Sequence, residues 1–433
     1  MKRSQREAAM RGSRHLLRLA LPAIRSTGPF EGAEILEEVP AELRFPLWRA
    51  YRNVVSWALT APGEHPGLFP PGAADDLRSF LRLGQVPEGV REALRVVCDL
   101  LDDPVATDPR RVSAACESMA EWAERQGSAP ATALRFMQAA GMCVPNDPRI
   151  AYRTGSLARR QAIWDIADLW FRHASTVGRR SRDWEAHATA YLALGNSYYQ
   201  QGRYATARRE HLKALRVGKR HGLREIQGRA YHDLFAVAIE MGDMVNAETY
   251  AHRSFQAYGP SHPNIPTLAH DIAYFWNTRG HYLRALPVLQ ALLPHFVQPQ
   301  DRIRVLGAIG RAAGCGEQRA VFQAAWTEVG RLAPGLEGAS SLPASLLQLT
   351  YGAVGMSEWE LAEAGAEYAR RTALDREEAD VVAEAERTIV MIRTRETPAT
   401  RIGNRMDQAL EEQAETLARE LVASLEGQIA GVR

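Results

Sequence analysis

The residues best suited to chemistry are histidines, cysteines and a glycine-rich run, and their spacing decides what they can do. His262, His270 and His281 fall close together, but no HExxH-like arrangement sets two imidazoles beside a carboxylate base, so hydrolytic zinc chemistry is not indicated. Cys98, Cys116, Cys143 and Cys315 lie far apart, with no CxxC pair and no histidine at metal-ligand spacing, which reads as reduced thiols in a cytoplasm. The stretch LGAIGRAAGCGEQ from Leu306 to Gln318 lacks the Lys-Ser or Lys-Thr ending of a phosphate loop. No strand pattern precedes it, so Gly314 to Gly316 reads as a turn between helices. No GxSxG motif is present, and no cysteine sits beside a plausible histidine partner. The sequence therefore points away from an enzyme and implies no cofactor and no metal. The remaining chemistry is cationic. Arg208, Arg209, Lys213, Arg216, Lys219 and Arg220 line one helical stretch and offer a basic surface of the kind that binds nucleic acid by counterion release. No base-reading motif accompanies them, and a solvated face is the plainer reading.

Positioning such residues falls to helices. Of 433 residues, 46% are hydrophobic and 24% charged, as in a soluble globular protein, while β-branched runs and Asn-Gly or Asp-Gly hairpin turns are scarce. Small residues recur at Ala133, Ala167, Ala207, Ala247, Ala285, Ala320 and Ala362, in steps of 34, 40, 40, 38, 35 and 42, several with a glycine (Gly202, Gly242, Gly280) shortly before. An aromatic or apolar residue stands three before several of these anchors: Trp164, Tyr204, Met244, Tyr282 and Trp359. A helical hairpin of this length cannot bury its apolar face alone, so one good repeat implies neighbours.

The best unit is LGNSYYQQGRYATARREHLKAL, from Leu194 to Leu215. Its Leu194-Gly195, Tyr198, Gly202, Tyr204, Ala207 and Ala214-Leu215 spacing resembles a tetratricopeptide repeat. The stretch from Gly259 to Leu286 is similar to the longer kinesin-light-chain-like type, through His262-Pro263, Leu268, Ile272-Ala273, Gly280, Tyr282 and Ala285. The resemblance covers roughly residues 111 to 375 and implies an all-α, right-handed α-solenoid of about seven helical hairpins with helical caps at both ends. The expected division is a basic helical segment at 1–35, a helical cap at 36–110, the repeat array at 111–375 and capping helices at 376–433. In the last segment Met406, Leu410, Leu417, Leu421, Leu425 and Ile429 form one stripe. It reads as a carboxyl-terminal cap, the alternative being a helix offered to a partner or a second subunit of a homodimer.

In arrays of this family the first helix of each hairpin lines a concave groove. The resemblance places Arg149, Tyr152, Arg153, Ser156, Arg159 and Arg160 on the inner face of the second hairpin, and Asn196, Tyr199 and Gln200 on the third. Arg229, His232 and Asp233 follow on the fourth, and His270, Asp271, Tyr274 and Asn277 on the fifth. Asn pairs with both peptide N–H and C=O, Tyr offers a flat surface, and Arg clasps carboxylates in bidentate fashion. The implied partner is a protein or an extended peptide, acidic segments included, and the implied role that of a cytoplasmic, bacterial, non-catalytic adaptor, scaffold or sensor. Two alternatives remain: a peptide-sensing transcriptional regulator of the same repeat type, and a nucleic-acid-binding solenoid acting through the basic hairpins at 149–229. That window holds 17 Lys or Arg against 6 Asp or Glu, whereas Glu337 to Arg433 holds 18 acidic and 10 basic residues. Such asymmetry bears on partners and long-range fields rather than on fold. The longest apolar run near the start, Leu16 to Ile24, is too short to span a bilayer.

Overall fold

The structure is a computed structural model that describes residues 32–395 and 408–431. The basic segment expected at the amino end, and Met406, lie almost wholly or wholly outside the described residues. Twenty α-helices and no strand occur among those described, so the chain is all-α. It divides into two compact units, residues 1–226 and 227–433.

In the first unit α1 (Ile35–Glu38), α2 (Ala41–Leu59), α3 (Asp75–Leu83) and α4 (Glu88–Asp102) precede three hairpins. These are α5 (Pro109–Gln126) with α6 (Pro130–Cys143), α7 (Pro148–Arg160) with α8 (Trp164–Ser181), and α9 (Trp184–Gln200) with α10 (Tyr204–Arg220). The leading helices do not stand apart from the array. α1 and α2 pack on α6, and α4 packs on α5. Glu38 supplies the missing cap of α6, accepting from the backbone N–H of Ala131 and Thr132 at 3.1 and 2.7 Å. Tyr51 meets Phe136 edge-on, with ring centroids 6.0 Å apart.

The second unit takes in most of α11 (Arg224–Glu240), which pairs in sequence with α12 (Met244–Tyr258). It continues through α13 (Ile265–Thr278) with α14 (Tyr282–Leu292), α15 (Pro299–Cys315) with α16 (Arg319–Leu332), and α17 (Ser341–Gly355) with α18 (Trp359–Leu374). α19 (Ala379–Thr394) packs against α18, and α20 (Gln408–Ala430) follows.

A left-handed turn residue sets the register of the hairpins. Ala162, Gly202, Gly242, Gly280, Glu317 and Ser357 all have φ between 56° and 87°, and each lies two residues before its second helix begins. Each closes the first helix in the same way. In the third hairpin Gly202 N–H donates to Tyr199 O and Arg203 N–H to Tyr198 O, both at 2.9 Å. Counting three residues on from each second-helix start gives Ala167, Ala207, Ala247, Ala285, Phe322 and Ala362, all buried. Ala320 is therefore not an anchor. It is exposed, and Phe322 holds the position. The larger ring fits because the neighbouring hairpin is thinned: a Cβ on Gly352 would lie 3.0 Å from the Phe322 ring. Gly314 is likewise not in a turn. It lies inside α15 against the Gly352 backbone, and the turn runs through Gly316 and Glu317.

The last helix corrects a second expectation. α20 does not stack beyond α19 as a terminal cap but returns to α12, α13 and α14. Its apolar stripe, including Leu417, Leu421 and Leu425, is buried there, so that face is spent within the chain rather than offered to a second subunit. Arg284 anchors the return. Its side chain is only 3% exposed, it pairs with both Glu411 and Glu415 one turn apart on α20, and its guanidinium lies over the Trp276 ring at 5.4 Å. Ser424 and Gln428 donate to the Pro260 carbonyl, and His295 Nε2 donates to Leu425 O at 3.0 Å. Beneath Arg284, Glu248 accepts from Trp276 Nε1 at 2.9 Å. Burial pushes its carboxyl up to about 7, against the lowering effects of the Trp276 hydrogen bond and the Arg284 charge.

Two predictions follow from these contacts. Phe322→Ala should cost about 3–5 kcal/mol in chemical denaturation, while Ala320→Phe should leave stability nearly unchanged; the reverse pattern would restore the register read from alanine spacing alone. Glu248 holds its proton more tightly folded than unfolded, so its contribution is fully present below about pH 4.5 and is lost as pH rises toward 7. Glu248→Gln should therefore remove a downward slope in stability across that window, worth up to about 3 kcal/mol. Thermal melts from pH 4 to 8 measure it, and parallel curves for the two proteins would refute the assignment.

Candidate functional site

The groove residues expected in the first unit are already engaged. Arg149 Nη1 and Nη2 donate to the two oxygens of Glu117 at 3.0 and 3.1 Å, and this pairing, which outweighs partial desolvation, holds the guanidinium above its ordinary pKa. Arg153 pairs with Glu117 and, at 2.8 Å, with Glu121, and Arg160 pairs with Glu124. Glu117, Glu121 and Glu124 share one face of α5, so α5 and α7 form a ladder of opposite charges. These arginines are thereby removed as a ready clasp for an acidic peptide. Tyr152 leans on Phe171, Ser156 and Arg159 are half-buried, and Tyr199 packs beside Tyr204 with centroids 5.5 Å apart. Asn196 is half-buried, and Gln200 is exposed at the end of α9.

The basic face of α10 is also less free than its sequence suggests. Glu210 is buried beneath it, and Lys213 Nζ donates to both Glu210 oxygens at 2.8 Å while lying 5.4 Å from the Tyr191 ring centre. Arg209 Nε is 3.6 Å from Glu210. Arg209, Arg216, Lys219 and Arg220 are exposed, and Arg208 is half-buried. Opposite them, Gly195 opens the space that the buried His211 ring fills: a Cβ there would overlap the imidazole.

The second unit brings its expected residues together differently. Asp271, which follows His270 on α13, joins two imidazoles. His232 Nε2 on α11 lies 2.9 Å from its Oδ2, and His270 Nδ1 lies 3.1 Å from its Oδ1. A carboxylate only accepts, so both nitrogens carry hydrogens, which fixes the tautomer of either ring whenever it is neutral. Burial works against ionisation of Asp271, but the two hydrogen bonds outweigh it and bring the carboxyl down to about 2. The His270 ring lies nearly parallel to Tyr274, with centroids 6.4 Å apart at 14°, and Phe296 approaches it edge-on at 6.3 Å. Tyr274 is 42% exposed. Arg229 and Asp233 are half-buried on α11. Asn277 is not on this surface. It is fully buried and donates Nδ2–H to the Ala308 carbonyl at 2.9 Å, tying α13 to α15. Among the described residues no group of histidine, cysteine or carboxylate side chains is placed to hold a metal ion, and no helix is long and apolar enough to cross a membrane.

No protein-family model matches the sequence, and no curated protein matches it significantly. Among solved structures the chain is similar to the apo form of RapI, at 8% identity over 81% of this chain and 97% of that one, with a TM-score of 0.45. It is also similar to a Rap protein complexed with Competence and Sporulation Factor, at 11% identity over 86% of this chain and 99% of that one, with a TM-score of 0.33. Both are helical-repeat proteins of tetratricopeptide-like build. At these scores the likeness carries nothing about ligand or residue roles.

The Asp271 bridge is directly observable. Imidazole nitrogen NMR should show hydrogen on Nε2 of His232 and on Nδ1 of His270. Because its folded pKa is depressed, Asp271 contributes stability that is present above about pH 4 and is lost only as pH falls through about 2. In Asp271→Asn the opposed tautomers should disappear; their persistence would mean that the carboxylate does not fix them.

Proposed function

We propose that this protein is a non-catalytic scaffold or sensor that binds a peptide or protein segment, and that the surface around His232, His270, Asp271 and Tyr274 is where it does so. One observation carries the reading. An aromatic ledge of His270 and Tyr274, 42% exposed at the tyrosine, has its histidine oriented by the Asp271 carboxylate. A flat surface fixed before binding saves the entropy of ordering it, and aromatic rings with polar edges suit an extended backbone and its side chains.

The self-neutralised ladder on α5 and α7 argues for apolar and aromatic contact over charge as the source of affinity. The preference for an acidic partner loses its main support with the engagement of Arg149 and Arg153. The nucleic-acid reading is weakened in the same way by the Lys213–Glu210 pair. A transcriptional-regulator role has no specific observation in its favour.

The test is a peptide-library or host-lysate capture followed by titration of the recovered segment. Tyr274→Ala and His270→Ala should each weaken binding by about tenfold or more, the range of an aromatic anchor. The melting temperature of Tyr274→Ala should stay near wild type, because its ring is 42% exposed, whereas His270→Ala also loses the hydrogen bond to Asp271 and should melt lower. Unchanged affinity in both variants would place the binding surface elsewhere.

A further inference from the structure

A cleft of about 930 Å³ in the first unit lies between the loop after α2, the start of α5 and the α6–α7 connection. It is independent of the surface proposed above. Its volume falls at the upper end of that of small-ligand sites. Pro62, Pro109, Pro145 and Pro148 line it, and proline brings no backbone N–H, so these four positions add apolar wall and no backbone donor. Trp57 and His65 form a stacked pair on the lining, with centroids 5.3 Å apart at 26°, and both are buried.

Three of the unengaged polar atoms of the cleft are acceptors. His65 Nε2 lies 3.2 Å from the Trp57 carbonyl, which only accepts, so Nε2 carries the hydrogen and Nδ1 keeps a lone pair whenever the ring is neutral. That nitrogen has no partner among the described residues. Asp108 and Asp147 cap α5 and α7 through Oδ1, from Arg110 N–H at 3.0 Å and Arg149 N–H at 2.8 Å, and leave Oδ2 unengaged among the described residues. Glu117 and Arg149, also on the lining, neutralise each other. Two carboxylates then stand against one guanidinium, that of the exposed Arg110.

We propose that this cleft binds an organic cation: an apolar or aromatic body held among the prolines beside Trp57 and His65, carrying a protonated amine that meets Asp108 and Asp147. The proline-rich walls desolvate the body, and the unengaged oxygens of Asp108 and Asp147 accept from the amine. The same chemistry is found in a free aromatic amine and in a basic side chain beside an aromatic one in a peptide.

Calorimetric titration of the full chain with tryptamine, with indole-3-acetate, and with a doubly capped Gly-Trp-Lys-Gly peptide tests this. Saturable binding of tryptamine or of the peptide is expected, at least tenfold tighter than that of indole-3-acetate, which carries the same ring with opposite charge. Tryptamine alone would assign the cleft to small amines, and the peptide alone to a polypeptide cation. Asp108→Asn and Asp147→Asn keep the capping oxygen and should each weaken binding by roughly fivefold to tenfold. Ala114→Trp, at an exposed position on the lining, should abolish it without loss of helical circular dichroism. Equal binding of the two indoles, no saturation by either cation, or binding that survives Ala114→Trp would overturn the proposal.

Discussion

Close approach of two helices within each hairpin is the constraint on which the rest depends. It demands a small side chain on the second helix, and it demands a turn that delivers that residue to the crossing point. The left-handed residue two places before the second helix meets the second demand, whether or not it is glycine. Ala162, Glu317 and Ser357 adopt this conformation at a cost of about 1 kcal/mol each, as the surrounding backbone hydrogen bonds require. Where Phe322 breaks the first demand, Gly352 on α17 makes room for its ring from the other side. The hairpin geometry is kept, and the volume is redistributed between neighbours.

This explains which parts of the fold were legible. Alanine at a crossing is a steric requirement that recurs at similar intervals, so the hairpins could be read from one sequence. The sixth was misplaced because Ala320 lies two residues before the true position, and nothing local shows that a phenylalanine is tolerated there. The turn signal was read only where it was glycine. A reading based on hydrogen-bond closure would have found the other three, but that closure is invisible in composition.

The candidate site was less legible, for electrostatic reasons. Arg149, Arg153 and Arg160 look like a free basic face when counted from residue 149 onward. Their partners Glu117, Glu121 and Glu124 lie more than thirty residues earlier, on the preceding hairpin. Hairpin stacking brings such distant faces together, so charge in a repeat protein has to be tallied across neighbours rather than along the chain. Asp271 shows the converse. The residue was visible beside His270, but its role needs His232 from another hairpin, and only the fold supplies it. Asn277 has the right residue type on the wrong side of its helix, where it serves packing.

The return of α20 to α12 and α14 alters how this chain must assemble. Ordinary repeats contact only their neighbours and can form in order as they are made. Here Arg284 waits for carboxylates 127 and 131 residues further along, so two central hairpins are completed only after synthesis has reached the far end. Closing so long a loop raises the contact order and slows the step that finishes the unit. Until then a guanidinium destined for the interior faces water without its counter-charges. The chain therefore behaves as a cooperative body in its second half, and its repeats cannot be trimmed from the carboxyl end one at a time.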